Sequence, residues 1–195
     1  MIRVYPVAAP TALTNSFGEG RSGHSHQGVD IFGAIGDPLV AVDDGELRSG
    51  VDPLGGNIVN LYATDGARYY YAHLNDFANA DGSPHAAFGS LPPAPRRVRA
   101  GDVVGFLGKT GNAATTQPHL HFEAHPRNGP AVDPFPSLER APRLEPNQRP
   151  AAAQGDAGGI LRTALGLGLL AGVGWALLYP DDARALGRRL RLSLP

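Results

Sequence analysis

The 195-residue sequence predicts an all-β domain over residues 1–138, a flexible linker over 139–159 and a hydrophobic C-terminal helix with a basic tail over 160–195. Three observations predict this. Short runs rich in Val, Ile, Tyr and Phe recur between Gly, Asn and Asp turn signals, the pattern of short strands. Glycine (26) and proline (18) are both abundant, and neither favours helix interiors. The run from Ala164 to Tyr179 contains no charged or strongly polar residue.

The elements follow in order. Residues 1–23 read as an extended lead-in that ends in a Gly/Ser loop. Val29-Asp30-Ile31-Phe32 is a short strand. Leu39-Val40-Ala41-Val42 is a second, and Asp43-Asp44-Gly45 turns the chain into Glu46-Leu47. Residues 57–63 and 68–74 are two β-rich runs around Thr64-Asp65-Gly66-Ala67, whose Asp-Gly step predicts a hairpin. Residues 75–97, with their Gly, Ser, Asn and Pro, read as a long loop. A Gly101-Asp102 turn precedes a short strand within 98–107, Lys109-Thr110-Gly111-Asn112 is another turn, and His119–His125 is the last strand. Residues 139–159 are rich in Pro, Ala, Gly, Gln and Arg and have no core of their own.

The run 164–179 would be about 24 Å long as a helix, and adding Ile160 and Leu161 brings it to membrane-spanning length. Arg162 can snorkel outward, and Trp175 and Tyr179 sit near one end as interfacial aromatics do. Gly168 and Gly172 allow close packing in lipid. Arg184, Arg188, Arg189 and Arg191 follow, so the positive-inside bias puts the C-terminus in the cytoplasm and the β domain outside it. The start, Met1-Ile2-Arg3-Val4-Tyr5-Pro6, does not read as a secretory leader. The expected location is therefore a single-pass C-terminal membrane anchor with an extracytoplasmic β domain. The alternative is a soluble protein, released on lysis or cytoplasmic.

A net charge of −1 gives no reason to expect a nucleic-acid partner. The absence of cysteine excludes disulfides and thiolate metal sites and leaves His, Asp and Glu as ligands. Within Pro118-His119-Leu120-His121-Phe122-Glu123, alternation on a strand puts His119 and His121 on one face and turns Leu120 and Phe122 into the core. On a helix the two imidazoles would lie about 200° apart. His26 and Asp30, four residues apart, can face the same way. Together with one further imidazole they make a ligand set suited to Zn²⁺ with a fourth position open to water, whose pKa the metal lowers. His73 ends Tyr69-Tyr70-Tyr71-Ala72-His73-Leu74, where alternation groups it with Tyr69 and Tyr71. His24, His85 and His125 lie in polar surroundings and read as solvated.

These residues resemble the lysostaphin/LytM-type zinc metallopeptidases, most of which act on bacterial cell-wall peptides. His26-Gln27-Gly28-Val29-Asp30 fits H-x-G-[IV]-D, Tyr71-Ala72-His73-Leu74 fits Y-x-H-L, residues 98–105 fit V-x-x-G-x-x-[IV]-G, Gly108-Lys109-Thr110-Gly111 fits G-x-T-G, and residues 119–123 fit H-L-H-F-E. The resemblance covers roughly residues 16–138. It implies an all-β peptidase domain with a sheet-floored groove and one zinc ion per chain. The implied ligands are His26, Asp30 and His121, and the implied catalytic histidines are His73 and His119. A peptidoglycan peptide is the implied substrate, with Tyr71 lining the groove and Glu123 supporting His121. Some family members act instead as non-catalytic modules that regulate other wall hydrolases.

Overall fold

Alternating side chains build a large sheet with one apolar and one polar face. The computed structural model describes residues 2–21, 23–85 and 91–144. The rest of the linker and the apolar run at 160–179 lie outside the described residues. No helix among the described residues is long and apolar enough to cross a membrane. The strands are β1 (Ala12–Leu13), β2 (Gly20–Arg21), β3 (His24–Ser25), β4 (Val29–Phe32), β5 (Pro38–Val40), β6 (Gly45–Asp52), β7 (Gly56–Ala63), β8 (Arg68–Leu74), β9 (Asp76–Ala78), β10 (Pro84–His85), β11 (Arg96–Val98), β12 (Val103–Phe106) and β13 (His119–His125). A short helix, α1 (Phe135–Arg140), follows. The fold class is mostly β, as the sequence predicts.

Seven strands pair in the order β1-β4-β13-β8-β7-β6-β11, a second sheet runs β10-β9-β12-β5, and β2-β3 form a small hairpin. The β7–β8 hairpin lies where the Asp-Gly turn puts it. Val29, Ile31, Leu47, Val59, Leu61, Tyr69, Tyr71, Leu120 and Phe122 share one core with Leu39, Phe77 and Val104 of the second sheet. The Phe122 ring stacks on Tyr69 at 6.0 Å and meets Tyr71 edge-on at 5.1 Å. Phe122 is fully buried, and its truncation to Ala should cost about 3–5 kcal/mol. Denaturant unfolding checks this; a loss under about 1 kcal/mol would mean that the core collapses around the gap.

Two segments differ from the sequence reading. Residues 75–97 are not one loop: β9 and β10 pair with each other, β9 also pairs with β12, and β11 edges the large sheet on β6. Phe77 and Ala78 in β9 and Val98 in β11 anchor these pieces, and strands of two or three residues leave no periodicity to read. Packing also runs past the predicted boundary at 138. Leu138 of α1 is buried, and the Arg143 guanidinium lies 3.7 Å over the Tyr5 ring and donates to Thr11 Oγ1 at 3.1 Å.

Candidate metal centre and active site

The polar face of the large sheet collects the predicted residues by register. On it Asp30 of β4 pairs with His121 of β13, and His121 pairs with Ala72 of β8. His26 enters from the segment before β4. Gly28 follows it because a Cβ there would strike the Phe122 carbonyl, so glycine lets this segment lie directly on β13. His26, Asp30 and His121 each offer a ligand atom, and these atoms lie within 4.8 Å of one another. His26 Nε2 is 2.7 Å from His121 Nδ1 and 3.2 Å from Asp30 Oδ1, and His121 Nδ1 is 3.4 Å from Asp30 Oδ1.

The outer hydrogen bonds decide what these atoms can do. His26 Nδ1 lies 2.8 Å from the Ser16 carbonyl oxygen, which can only accept, so the proton sits on Nδ1 and Nε2 presents its lone pair. An Arg21 nitrogen is 3.2 Å from the same Nδ1, but that longer contact gives way to the Ser16 bond. His121 Nε2 donates to Glu123 Oε1 at 2.9 Å, which leaves the Nδ1 lone pair facing inward. Two nitrogen lone pairs and a carboxylate oxygen thus converge on one point. A cation relieves their repulsion, and two imidazoles with one carboxylate suit a zinc-type ion. The residues present therefore fit a metal.

Arg21 donates to Asp30 Oδ2 at 2.9 Å and leaves Oδ1 turned to the centre. Ser16 Oγ accepts from the Asp30 backbone N–H at 3.1 Å. Burial opposes ionisation of Asp30, but the His121 and His26 imidazoles against it outweigh that and hold the carboxyl far below its usual range. Burial likewise disfavours charge on His121, yet Asp30 and Glu123 more than offset it, so its pKa is raised. Glu123 is buried too, and hydrogen bonds from His121 and His125 keep it below the ordinary carboxylate range.

His119 and His73 stand beside this trio with ring centroids 5.0 Å apart. His119 Nδ1 donates to the Gln117 carbonyl at 2.8 Å, and its Nε2 lies 3.9 Å from Asp30 Oδ1. His73 Nδ1 donates to the Thr110 carbonyl at 2.9 Å. In the neutral form of each ring the lone pair is therefore on Nε2.

Alternation along β8 predicts His73 on the face of Tyr69 and Tyr71; the structure puts it on the opposite one. The β7–β8 register shifts between Asn57 and Val59, and His73 has φ 67°, the left-handed region. One extra residue on β8 re-aims the side chain, as a β-bulge does. The turn at Thr110 secures this backbone: the His73 N–H donates to the Gly55 carbonyl at 2.8 Å, and Thr110 Oγ1 donates to the Leu74 carbonyl at 2.9 Å. The groove-lining expectation for Tyr71 fails. It is fully buried, with its hydroxyl bonded to Val42 N and the Val40 carbonyl. Tyr70 takes the site face instead, edge-on to His121 at 6.2 Å.

Burial, followed by the neighbouring imidazole of His119, pushes His73 down to about 4. Its ring should stay neutral to about that pH, and NMR titration of the ring protons checks this; a midpoint near 6.5 would show the ring to be solvated. The unfolded chain binds the proton first, so the contribution of neutral His73 is complete above about pH 6.5 and is lost as pH falls toward 4.

The expectation for Glu123 holds. Sequence reasoning missed Arg21 and Ser16, because nothing in their spacing marks them. It also misread His125, which is buried rather than solvated. Alternation carried a signal there, since His125 is two residues from Glu123 on one strand. His24 is exposed and His85 is half-buried.

Comparison with known proteins agrees with this geometry. The sequence profile of peptidase family M23 matches residues 24–134. Glycyl-glycine endopeptidase ALE-1 of Staphylococcus capitis is 35% identical over 128 residues, 63% of this chain and 31% of that protein. The DD-carboxypeptidase/endopeptidase Mpg of Neisseria meningitidis is 35% identical over 120 residues, 61% of this chain and 24% of that protein. The chain thus spans about a third or less of the length of these curated relatives. The crystallized catalytic domain of lysostaphin from Staphylococcus simulans is similar in structure, with a TM-score of 0.51 and 31% identity over 66% of this chain and 90% of that domain. With its profile matched through the residues that build the site, the chain belongs to peptidase family M23.

Proposed function

We propose that this chain is a zinc-dependent endopeptidase that hydrolyses peptide bonds in bacterial peptidoglycan. In this reading His26, Asp30 and His121 hold one zinc ion, and His73 and His119 serve the reaction. The observation that carries it is the convergence of the His26 Nε2 and His121 Nδ1 lone pairs on Asp30 Oδ1, with two further imidazoles beside them. Zinc, when bound, supplies Lewis-acid activation of water and of the scissile carbonyl.

The chain's own groups supply the proton handling. The Nδ1–H bonds to the Gln117 and Thr110 carbonyls fix the two rings and leave each Nε2 able to take a proton and return it to a leaving amine. The depressed pKa of His73 keeps its Nε2 an acceptor at neutral pH, which suits the base rather than an oxyanion donor. Arg21 and Glu123 orient Asp30 and His121.

The substrate class rests on the relatives, whose names include a glycyl-glycine endopeptidase and an L-Ala–D-Glu endopeptidase. Digestion of purified peptidoglycan with the full chain, followed by mass analysis, tests the reading. New amino termini that disappear with a chelator are expected. Metal-loaded protein that releases nothing would turn the reading toward a regulatory wall-binding module.

A further inference from the structure

Glu123 is shared. Its Oε1 accepts from His121 Nε2 at 2.9 Å and its Oε2 accepts from His125 Nε2 at 2.7 Å. His125 is itself held at the other end, with Nδ1 2.8 Å from the Gly129 carbonyl oxygen. A carboxylate and a carbonyl oxygen only accept, so the ring is held between two acceptors and can donate to Glu123 through Nε2. The Gly129 carbonyl is brought back by the turn at Pro126–Asn128, where Arg127 and Asn128 adopt left-handed backbone with φ 50° and 54° and the Gly129 N–H bonds Pro126 O at 2.9 Å. His125 is 6% exposed. It lies four residues from His121, about 13 Å along the strand, too far to ligate an ion held by His121.

We propose that His125 is a positioning residue for the metal centre: it clamps the Glu123 carboxylate, and the clamped carboxylate fixes the tautomer in which His121 presents Nδ1 inward. The proposal rests on His121 being a ligand. A carboxylate with one oxygen unpartnered can turn about its side-chain torsion and leave His121 Nε2. The His121 proton can then move to Nδ1 and occupy the position an ion needs. With both oxygens engaged, the carboxylate plane has one orientation, and His121 Nε2–H has one acceptor.

The experiment uses the full chain without metal and with zinc. Nitrogen-edited NMR of the metal-free protein reads which His121 nitrogen carries hydrogen. A single Nε2–H form is expected, and His125→Leu should give a mixture. Zinc affinity, measured by competition with a chelator, should fall about 10–100-fold in that variant. His125→Gln, whose amide can still donate to Glu123, should recover most of the affinity. If leucine unfolds the domain, the shorter polar His125→Asn gives the same readings. Because His125 acts through Glu123, adding His125→Leu to Glu123→Gln should cost little more than Glu123→Gln alone. A folded His125→Leu protein with wild-type tautomer and wild-type zinc affinity would overturn the proposal, and so would additive losses in the double variant. If wild-type protein bound no zinc, the functional reading would fail instead, and the tautomer measurement would still decide the role of His125.

Discussion

His121→Ala is expected to abolish tight zinc binding and to lower kcat/KM on peptidoglycan by at least about a thousandfold, the equivalent of roughly 4 kcal/mol. The size follows from position. His121 Nδ1 lies within bonding reach of both His26 Nε2 and Asp30 Oδ1, so removing it leaves two ligands and two buried acceptors with no third atom to close the set. The fold should survive, because the side chain sits on the polar face while Leu120 and Phe122 on either side hold the core. Metal analysis of the purified variant and a chelator titration read the first effect, and the digestion assay reads the second. A variant that keeps stoichiometric zinc would remove His121 from the ligand set.

His119→Ala should separate the two functions that share β13. Its Nε2 stays 3.9 Å from Asp30 Oδ1, and the three close ligand atoms do not include it. Zinc content should therefore remain, while kcat falls about 10²–10⁴-fold, the range for losing a proton-transfer group. KM should change little, since the loss is of a transition-state interaction rather than of uniform binding. Loss of metal in this variant would mean that the two histidines exchange roles.

Much of this site was legible because strands preserve parity. His119, His121 and Glu123 needed only alternation to share a face, and Leu120 and Phe122 needed only the same rule to enter the core. His26 and Asp30 were legible as residue types at a spacing, although their meeting with His121 depends on the β4–β13 register, which one strand alone does not encode. His73 shows where parity stops: one bulged residue reversed its face and parted it from Tyr71, which stayed in the core with Tyr69. Arg21 and Ser16 were silent because they reach the site through a hairpin and a loop, with no period to follow. The strands within 75–97 were silent because a strand of two or three residues is shorter than any pattern that could reveal it.

The order β4-β13-β8 has a kinetic consequence. Asp30 and His121 are 91 positions apart, yet their strands are immediate neighbours, and β13 is the last strand among the described residues to leave the ribosome. Until it inserts, β4 and β8 each present a bare edge of N–H and C=O groups, the kind of edge that captures other chains. Closing so long a loop is entropically slow, and nothing local rewards it beforehand. The ability to hold an ion therefore does not grow gradually as the chain folds. It arises in the single event that seals the sheet, so zinc uptake by a refolding chain should report the closure of its most distant strand pair.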